Sequence, residues 1–333
     1  MDLQNDLKQY LSRIKGLVDG YIYAYVKGEP EEIYNAALHL IKAGGKRLRP
    51  LITIAFAEML SQPPEKALSF ASAVELVHNF TLVHDDIMDK DEFRRGVPTV
   101  HRIWGEAFAI IAGDLLFSKS FEVLVDALNK GIPPQRVVRA ANVLSSATST
   151  VAEGQALDML FAEEEDVDVD DYLKMIYKKT GALFEAAAIL GVLVATDDEL
   201  LISSASSYGK NLGLAFQIRD DILGIIGDEK VTGKPVYSDI REGKKTLPII
   251  YALSNLPRED SEYLRMILGK KDALKEELSK AANLVVKSGA IEFAEKKAKE
   301  FGERAIESLK IFPENNVRKI LERIVEFTIS RQK

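Results

Sequence analysis

The sequence contains no cysteine among its 333 residues. Disulfide bonds, thiolate metal ligands and cysteine nucleophiles are therefore excluded. It also lacks any run of the roughly 18 to 20 apolar residues that a membrane-spanning helix requires. The N-terminal segment MDLQNDLKQY is polar and does not have the apolar stretch of a signal peptide, so we expect a cytoplasmic protein.

Positive charge is outweighed, since 44 lysines and arginines against 51 aspartates and glutamates give a net charge of -7. An acidic chain of this kind does not present the broad basic surface that binds nucleic acid. Two local basic clusters, Lys46-Arg47-Leu48-Arg49 and Arg94-Arg95, stand out against this background. They are therefore informative about a binding site.

Strand-like alternation and fixed-period repeats are absent as well. Apolar residues instead recur at three- and four-residue spacing, which predicts amphipathic helices separated by Gly and Pro. The predicted helices are 3–25, 30–43, 51–60, 64 to the aspartates near 85, 105–128, 134–161, 172–195 and 199–226, with shorter ones from 247 onward. The pattern favours an all-α fold, a large helical bundle around a central cavity that forms a single domain over residues 1–333.

Three of these segments carry further expectations. Residues 105–128 are mostly apolar, so we expect a helix that is buried on most sides. Within it, Gly113 costs helix propensity and indicates a close contact. The acidic run 163–171 is interpreted as a solvated loop before the next helix.

The segment from His78 to Pro98, HNFTLVHDDIMDKDEFRRGVP, holds the strongest chemical signal. Asp85 and Asp89 are four residues apart and share one face of a helix, so they repel each other unless a cation lies between them. Mg²⁺, a hard cation that prefers oxygen ligands, fits that need best. Arg94 and Arg95 follow, and guanidinium groups match phosphate oxygens in a bidentate way. Acids that hold a metal, followed by bases that hold phosphate, predict a diphosphate site.

A second acidic helix end repeats this arrangement at FQIRDDILG, residues 216–224, with the pair Asp220 and Asp221. The loop after it supplies Lys234 and Lys244. A Walker-type phosphate loop is excluded there, because the glycine spacing is too long and Pro235 stands where Ser or Thr is needed. We expect the two acidic helix ends to face each other and form a metal-diphosphate mouth over an apolar interior.

Together with GGKRLRP at 44–50, GQALD at 154–158, KTGALF at 179–184 and GKPVYSDIREGKKTLP at 233–248, these segments resemble the trans-isoprenyl diphosphate synthases. The resemblance implies a prenyltransferase that joins isopentenyl diphosphate head-to-tail to dimethylallyl, geranyl or farnesyl diphosphate and releases diphosphate. It also implies several Mg²⁺ ions per active site and a homodimer built through residues 105–128. One departure is Gly224, because the family's second motif usually ends in Asp at that position.

The resemblance also implies a role for each matching residue. The predicted magnesium ligands are Asp85, Asp89 and Asp220, and Asp86 belongs to the same catalytic set. The residues expected to hold the allylic diphosphate directly are Arg94, Lys179 and Lys234. The pocket for isopentenyl diphosphate is expected to contain Lys46, Arg49, His78 and Arg95. Phe216, Gln217 and Thr180 are expected to line the site and steady the carbocation, with Lys244 as a further substrate-binding cation.

Two of these assignments have support from spacing or pattern. His78 lies seven residues before Asp85, two turns away on the same helix face. Lys178 and Lys179 are both candidates for one cation, and Lys179 is preferred because Thr180 follows it in the family pattern.

Phe80 is the candidate for setting product length. Helix geometry alone does not place it on the Asp85 face, and ordinary core packing is the alternative interpretation. In the family, however, the fifth position before the first aspartate limits chain growth. An aromatic residue there, followed by the small Thr81, resembles the geranylgeranyl type. Farnesyl or longer-chain synthases remain alternatives.

Three rival functions fit the sequence less well. A terpene cyclase shares the first aspartate motif but lacks the second aspartate pair and GGKRLRP. A di-iron protein requires two Glu-x-x-His motifs, and the chain offers one, Glu75 to His78. A silent partner subunit should have lost its acidic or basic residues, and this chain has both.

Overall fold

The computed structural model of the chain describes residues 3–164, 166–227 and 237–330. These residues are mostly helical, which confirms the predicted all-α class. The helices are α1 (Leu3–Tyr25), α2 (Glu31–Lys42), α3 (Leu48–Met59), α4 (Pro64–Met88), α5 (Val100–Trp104), α6 (Glu106–Val125), α7 (Pro134–Glu163), α8 (Val169–Ile176), α9 (Ala182–Ala195), α10 (Glu199–Ile226), α11 (Ser238–Glu242), α12 (Leu247–Asn255), α13 (Arg258–Ile267), α14 (Lys275–Lys287), α15 (Ala290–Ser308) and α16 (Asn316–Ser330). Two short strands, β1 (Phe93–Arg94) and β2 (Val97–Pro98), pair antiparallel. Within the described ranges, no helix is both long and apolar enough to span a membrane.

The chain divides into two compact units. The first unit comprises Met1–Thr148, Leu183–Ser206 and Leu309–Leu321, and the second comprises Ser149–Ala182, Ser207–Ser308 and Glu322–Lys333. Helices α7, α9, α10 and α16 contribute residues to both. The single domain over residues 1–333 stays a prediction.

In the first unit, α4 packs against α1, α3 and α6. Its start is set by Pro64, whose fixed φ suits the first helical turn and whose missing N–H is not needed there. Fully buried side chains such as Phe56 on α3 and Phe70 on α4 hold the helices together. Burying a side chain of this size contributes about 1.5–3 kcal/mol. The aspartates at the end of α4 are therefore carried by a firmly packed helix.

In the second unit, α12 packs against α8, α13, α14 and α15. Ile218 and Ile222 of α10 share one core cluster with Ile249 of α12 and with Tyr172 of α8. The isoleucines of α10 are four residues apart, so a single face of that helix enters the core. Of the three positions between them, Asp220 is half-buried, whereas Arg219 and Asp221 are buried.

Two predicted segments are interrupted in the structure. The predicted helix 172–195 is formed by α8, a π-helical turn at Tyr177–Gly181, and α9. The predicted helix 105–128 ends as α6 at Val125, and a 3₁₀ turn follows at Asp126–Lys130. A π turn inserts one residue into an α-helix without changing the apolar pattern on either side, so periodicity does not reveal it.

Two local predictions are confirmed. Glu163, the first residue of the acidic run, ends α7, and residues 169–171 form the first turn of α8. The described residues between the two helices are outside any helix, and the Asp168 carboxylate accepts the N–H of Asp171 at 2.8 Å and caps α8. Gly113 makes a close contact with His84, because a Cβ atom at position 113 would overlap the His84 imidazole.

The expected burial of residues 105–128 on most sides is wrong for the single chain. Ile110, Ile111 and Val125 on α6 are 45%, 54% and 50% exposed. A helix that is apolar on several sides is not necessarily covered by its own chain, and composition alone does not distinguish the two cases.

Candidate active site

The three aspartates at the end of α4 differ in burial. Asp85 is half-buried, and Asp89, which directly follows α4, is exposed. Asp86, by contrast, is buried. Asp86 pairs with the Nε atom of Arg94, and its Oδ2 has no hydrogen-bond partner within the described ranges. Burial raises the pKa of Asp86 to about 6, although the Arg94 charge acts in the opposite direction. Asp85 and Asp89 therefore form the outward pair, and Asp86 anchors Arg94.

The β1–β2 hairpin after α4 separates its two arginines. Arg94 reaches back to Asp86 and also donates to Asp91 Oδ2 at 3.1 Å. Arg95 has a left-handed backbone, with φ 55°, and its Nη1 donates to the carbonyls of Leu40 and Gly44 at 2.7 and 2.5 Å. The turn thus directs the two guanidinium groups to different places.

The GGKRLRP segment connects α2 to α3 in the first unit. Arg47 is buried, where it pairs with Asp19 at 2.6 Å and with Glu75 at 3.2 Å and donates to the Ile41 carbonyl. Gly45 has φ 142°, and a Cβ atom there would lie 2.6 Å from Arg47 Nη1, so the position requires glycine. Arg47 is therefore structural and closes the end of α2.

The other two cations of this segment were predicted to bind substrate. Lys46 is exposed, and the Arg49 guanidinium lies over the Phe184 ring at 4.3 Å from its centroid. Stacking on an aromatic face orients a guanidinium without consuming its hydrogen-bond donors.

His78 lies on α4 next to these cations. Desolvation lowers its pKa well below the usual value, and the charges of Arg49 and Arg95 lower it further. The imidazole is therefore neutral at physiological pH and offers one donor and one acceptor. A neutral ring can contact a diphosphate without adding to the repulsion among the arginines.

Phe80 is half-buried and lies in a row of aromatic rings between α4 and α6. Its centroid is 4.9 Å from that of His84 and 5.3 Å from that of Phe117, and Phe117 in turn contacts Phe121 at 5.2 Å. The ring is thus held by neighbours on two helices of the first unit.

In the second unit, the π turn carries Lys178, Lys179 and Thr180. Lys179 pairs with Asp158 of α7 at 2.5 Å, and Lys178 pairs with Glu153. A Cβ atom on Gly154 would overlap the backbone of Lys179, so α7 approaches the π turn as closely as a helix can. The GQALD segment thus supports the lysines, a role that the sequence pattern did not reveal.

A chain of hydrogen bonds joins the π turn to α10. The Thr180 hydroxyl donates to Gln217 Oε1 at 2.7 Å, and Gln217 Nε2 donates to Asp221 Oδ1 at 2.8 Å. The Tyr172 hydroxyl donates to the other oxygen of Asp221 at 2.6 Å. Burial, together with the nearby Asp239 charge, raises the pKa of Asp221 to about 8. Asp220, by contrast, is half-buried.

The two acidic helix ends therefore have the same internal arrangement. In each, the second aspartate of the pair is buried and held by a neighbour, Arg94 for Asp86 and Tyr172 for Asp221. The first aspartate is left at the surface of its unit. Adjacent residues on a helix lie about 100° apart, which explains why one member of each pair faces inward.

Gly224 stands where the resembling family usually has a third aspartate. A Cβ atom at Gly224 would overlap the carboxylate of Asp239, which lies on α11. A carboxylate is therefore present beside position 224, but it comes from another segment.

Lys244, shortly after α11, pairs with Glu242 at 2.5 Å. Lys234 lies outside the described residues.

The oxygen donors present fit magnesium, provided that the substrate supplies further ligands. Among residues 3–164, 166–227 and 237–330, no three acidic or histidine side chains are grouped so that they could hold a metal by themselves. Mg²⁺ is usually bound by one or two carboxylates plus waters and substrate phosphates, not by a full protein cage. Asp85 and Asp89 are such a pair.

The chain matches the polyprenyl synthetase family model over residues 30–285. It is 45% identical to the geranylfarnesyl diphosphate synthase of Aeropyrum pernix, over 95% of this chain and 100% of that protein. It is 44% identical to the geranylgeranyl diphosphate synthase of Saccharolobus solfataricus, over 99% of each chain.

Solved structures agree with these matches. A geranylgeranyl pyrophosphate synthetase from Pyrococcus horikoshii Ot3 superposes with a TM-score of 0.91 and 44% identity, over 97% of this chain and 99% of that chain. A geranylgeranyl pyrophosphate synthase from Corynebacterium glutamicum, complexed with isoprenyl diphosphate and magnesium, has a TM-score of 0.85 and 26% identity, over 99% and 100% of the two chains.

Proposed function

Because the chain belongs to the polyprenyl synthetase family and is a prenyltransferase, we propose that it joins isopentenyl diphosphate to allylic diphosphates and stops at geranylgeranyl diphosphate. The observation that carries the proposal is the pair of acidic helix ends. In each, a neighbour holds the buried aspartate, Arg94 for Asp86 and Tyr172 for Asp221, and the aspartate before it is half-buried.

The proposed reaction has three bond changes. The C–O bond of the allylic diphosphate breaks, and its electron pair leaves with the diphosphate. The double bond of isopentenyl diphosphate then attacks the allylic cation and forms the new carbon–carbon bond. Loss of a proton to the released diphosphate restores a double bond. No side-chain nucleophile is required.

The residues of the first unit have two proposed tasks. Asp85 and Asp89 hold magnesium on the allylic diphosphate, and Arg94, oriented by Asp86, contacts its phosphate oxygens. Isopentenyl diphosphate, which must not ionise, is bound by Lys46, Arg49, Arg95 and the neutral His78.

The residues of the second unit are also proposed to bind an allylic diphosphate. Asp220 is the further magnesium ligand, and Lys179, Lys234 and Lys244 bind phosphate oxygens. Phe216 and Thr180 line the place of the cation, together with Gln217. Magnesium, when bound, neutralises the charge that builds on the leaving oxygens.

Incubation with labelled isopentenyl diphosphate and dimethylallyl, geranyl or farnesyl diphosphate tests this function. With Mg²⁺ we expect a ladder of products that ends at the geranylgeranyl length, and with EDTA we expect no elongation. Products are dephosphorylated and separated by chain length. Elongation that persists in EDTA would contradict the magnesium assignment, and the lack of elongation with every primer would contradict the function.

We also propose that the enzyme is a cytoplasmic homodimer formed through α6. Ile110, Phe117 and Val125 recur at seven- and eight-residue spacing, so they lie on one face, and all three are at least 36% exposed. A contiguous apolar face of this kind indicates a protein interface.

The substitution Ile110→Glu is expected to convert the dimer to monomer, because it places a charge in an apolar interface. Light scattering coupled to size-exclusion chromatography at micromolar concentration measures the mass. Met266→Glu makes the same change at a 61% exposed residue of the second unit and is the matched control. A dimer that survives Ile110→Glu as well as Met266→Glu would place the interface elsewhere.

A further inference from the structure

Gln155 is a buried amide whose hydrogen-bonding capacity is unused. Gln155 is 8% exposed, and neither Oε1 nor Nε2 of its side chain has a hydrogen-bond partner within the described ranges. A primary amide offers two donors and an acceptor, and leaving them unmade in the interior costs free energy. An unsatisfied buried group of this kind in a native structure calls for an explanation, and a role during the reaction is one.

The position of Gln155 places it beside the π turn. Its neighbour Gly154 lies against the backbone of Lys179, and Asp158, three residues further along α7, pairs with the Lys179 ammonium. Residues three apart share a helix face, so Gln155 and Asp158 are directed to the same side of α7. The unused amide is therefore on the side of α7 that faces the π turn, which carries Lys179 and Thr180, two residues proposed to meet the allylic substrate.

The sequence predicts that the Gln217 amide steadies the carbocation, but its oxygen and its nitrogen are both hydrogen-bonded within the protein. Oε1 accepts from Thr180, and Nε2 donates to Asp221. These bonds fix Thr180 relative to α10. These bonds give Gln217 a positioning role, whereas the buried carbonyl of Gln155 has no partner within the described ranges.

We propose that the side-chain carbonyl of Gln155 stabilises the allylic carbocation, an inference that rests on the proposed function. The hydrocarbon part of an allylic diphosphate has no hydrogen-bonding group, so the amide gains little from the intact substrate. Positive charge develops on the allylic carbons when the C–O bond breaks and its electron pair leaves with the diphosphate. A carbonyl dipole that is held in place by packing interacts with that charge without reorganisation.

Two probes separate the cation from the intact substrate. One is an allylic thiodiphosphate, which reacts slowly and carries no positive charge on its hydrocarbon. The other is an ammonium analogue of the substrate, in which a protonated nitrogen replaces an allylic carbon of the hydrocarbon chain. In Gln155→Met, which keeps the length of the side chain but lacks the carbonyl, we expect the ammonium analogue to bind about tenfold more weakly. Binding of the thiodiphosphate should change less than about threefold, and kcat should fall with little change in the KM for isopentenyl diphosphate.

Stability gives an independent readout, because Gln155→Met removes an unsatisfied amide from the interior. The Tm of the protein without substrate should rise or stay the same while turnover falls. Ser72→Ala is the matched control, since Ser72 is fully buried on α4 and its hydroxyl also has no partner within the described ranges. That variant should keep the wild-type preference for the ammonium analogue.

Gln155→Glu identifies the atom that acts, because it keeps an acceptor oxygen and replaces the NH₂ group. We expect it to retain the preference for the ammonium analogue over the thiodiphosphate. Equal loss of that preference in Gln155→Glu and Gln155→Met would assign the effect to Nε2 and overturn the proposal. An unchanged preference in Gln155→Met, with an active wild-type enzyme, would also overturn it while leaving the proposed function intact. A wild-type protein that elongates no primer would instead contradict the function itself.

Discussion

Replacing Asp85 with alanine is expected to lower the turnover of isopentenyl and farnesyl diphosphates by about a thousandfold or more. The allylic C–O bond breaks only if the charge on the leaving diphosphate is neutralised, and Asp85 is the half-buried member of the outward pair on α4. The expected loss is in kcat, because the cations that bind phosphate directly are unchanged. Radiolabel incorporation at saturating substrate and several Mg²⁺ concentrations measures it.

Glu122→Ala is the control for Asp85→Ala. Glu122 is an exposed carboxylate on α6 that pairs with Lys119, so its loss removes a negative charge without touching the acidic helix end. Its turnover should stay within about twofold of the wild type, since surface ion pairs contribute little. Thermal unfolding of both variants shows whether folding is affected. Near-normal turnover in a folded Asp85→Ala protein would remove Asp85 from the metal site.

The second large effect is expected for Phe80→Ala, which should move the end of the product ladder beyond geranylgeranyl diphosphate. The Phe80 ring is held between His84 and Phe117, and its removal leaves a space that no neighbouring side chain fills automatically. A growing prenyl chain is apolar and can occupy such a space. Chromatography of the dephosphorylated products measures the shift.

Phe327→Ala is a suitable comparison, because Phe327 is a 52% exposed aromatic residue of the second unit. Its products should match those of the wild type. An unchanged end point in Phe80→Ala would show that another residue limits the chain. The test is informative because relatives with different products, geranylfarnesyl and geranylgeranyl diphosphate, are almost equally similar to this chain.

Much of the helical architecture follows from the sequence. Pro64 at the start of α4 and Gly44-Gly45 after α2 are strong local signals, and the apolar spacing between them is regular. The paired aspartates were also located at the helix ends where the structure has them. These features are local, so a single sequence contains the information that fixes them.

Other features depend on packing that periodicity does not encode. Within GGKRLRP, Arg47 and Arg49 are two residues apart and of the same type, yet Arg47 is buried by Asp19 and Glu75 and Arg49 stacks on Phe184. Their partners are distant in sequence. The π turn at Tyr177–Gly181 likewise depends on the close approach of α7, which brings Gly154 against it.

Gly224 leaves room beside α10 for a carboxylate from another segment of the chain. Because the Asp239 carboxylate lies where a side chain at position 224 would project, the two positions behave as one site that is divided between two segments. An aspartate at position 224 would meet the carboxylate that Asp239 already places there, so the absence of a side chain at 224 leaves that space to Asp239.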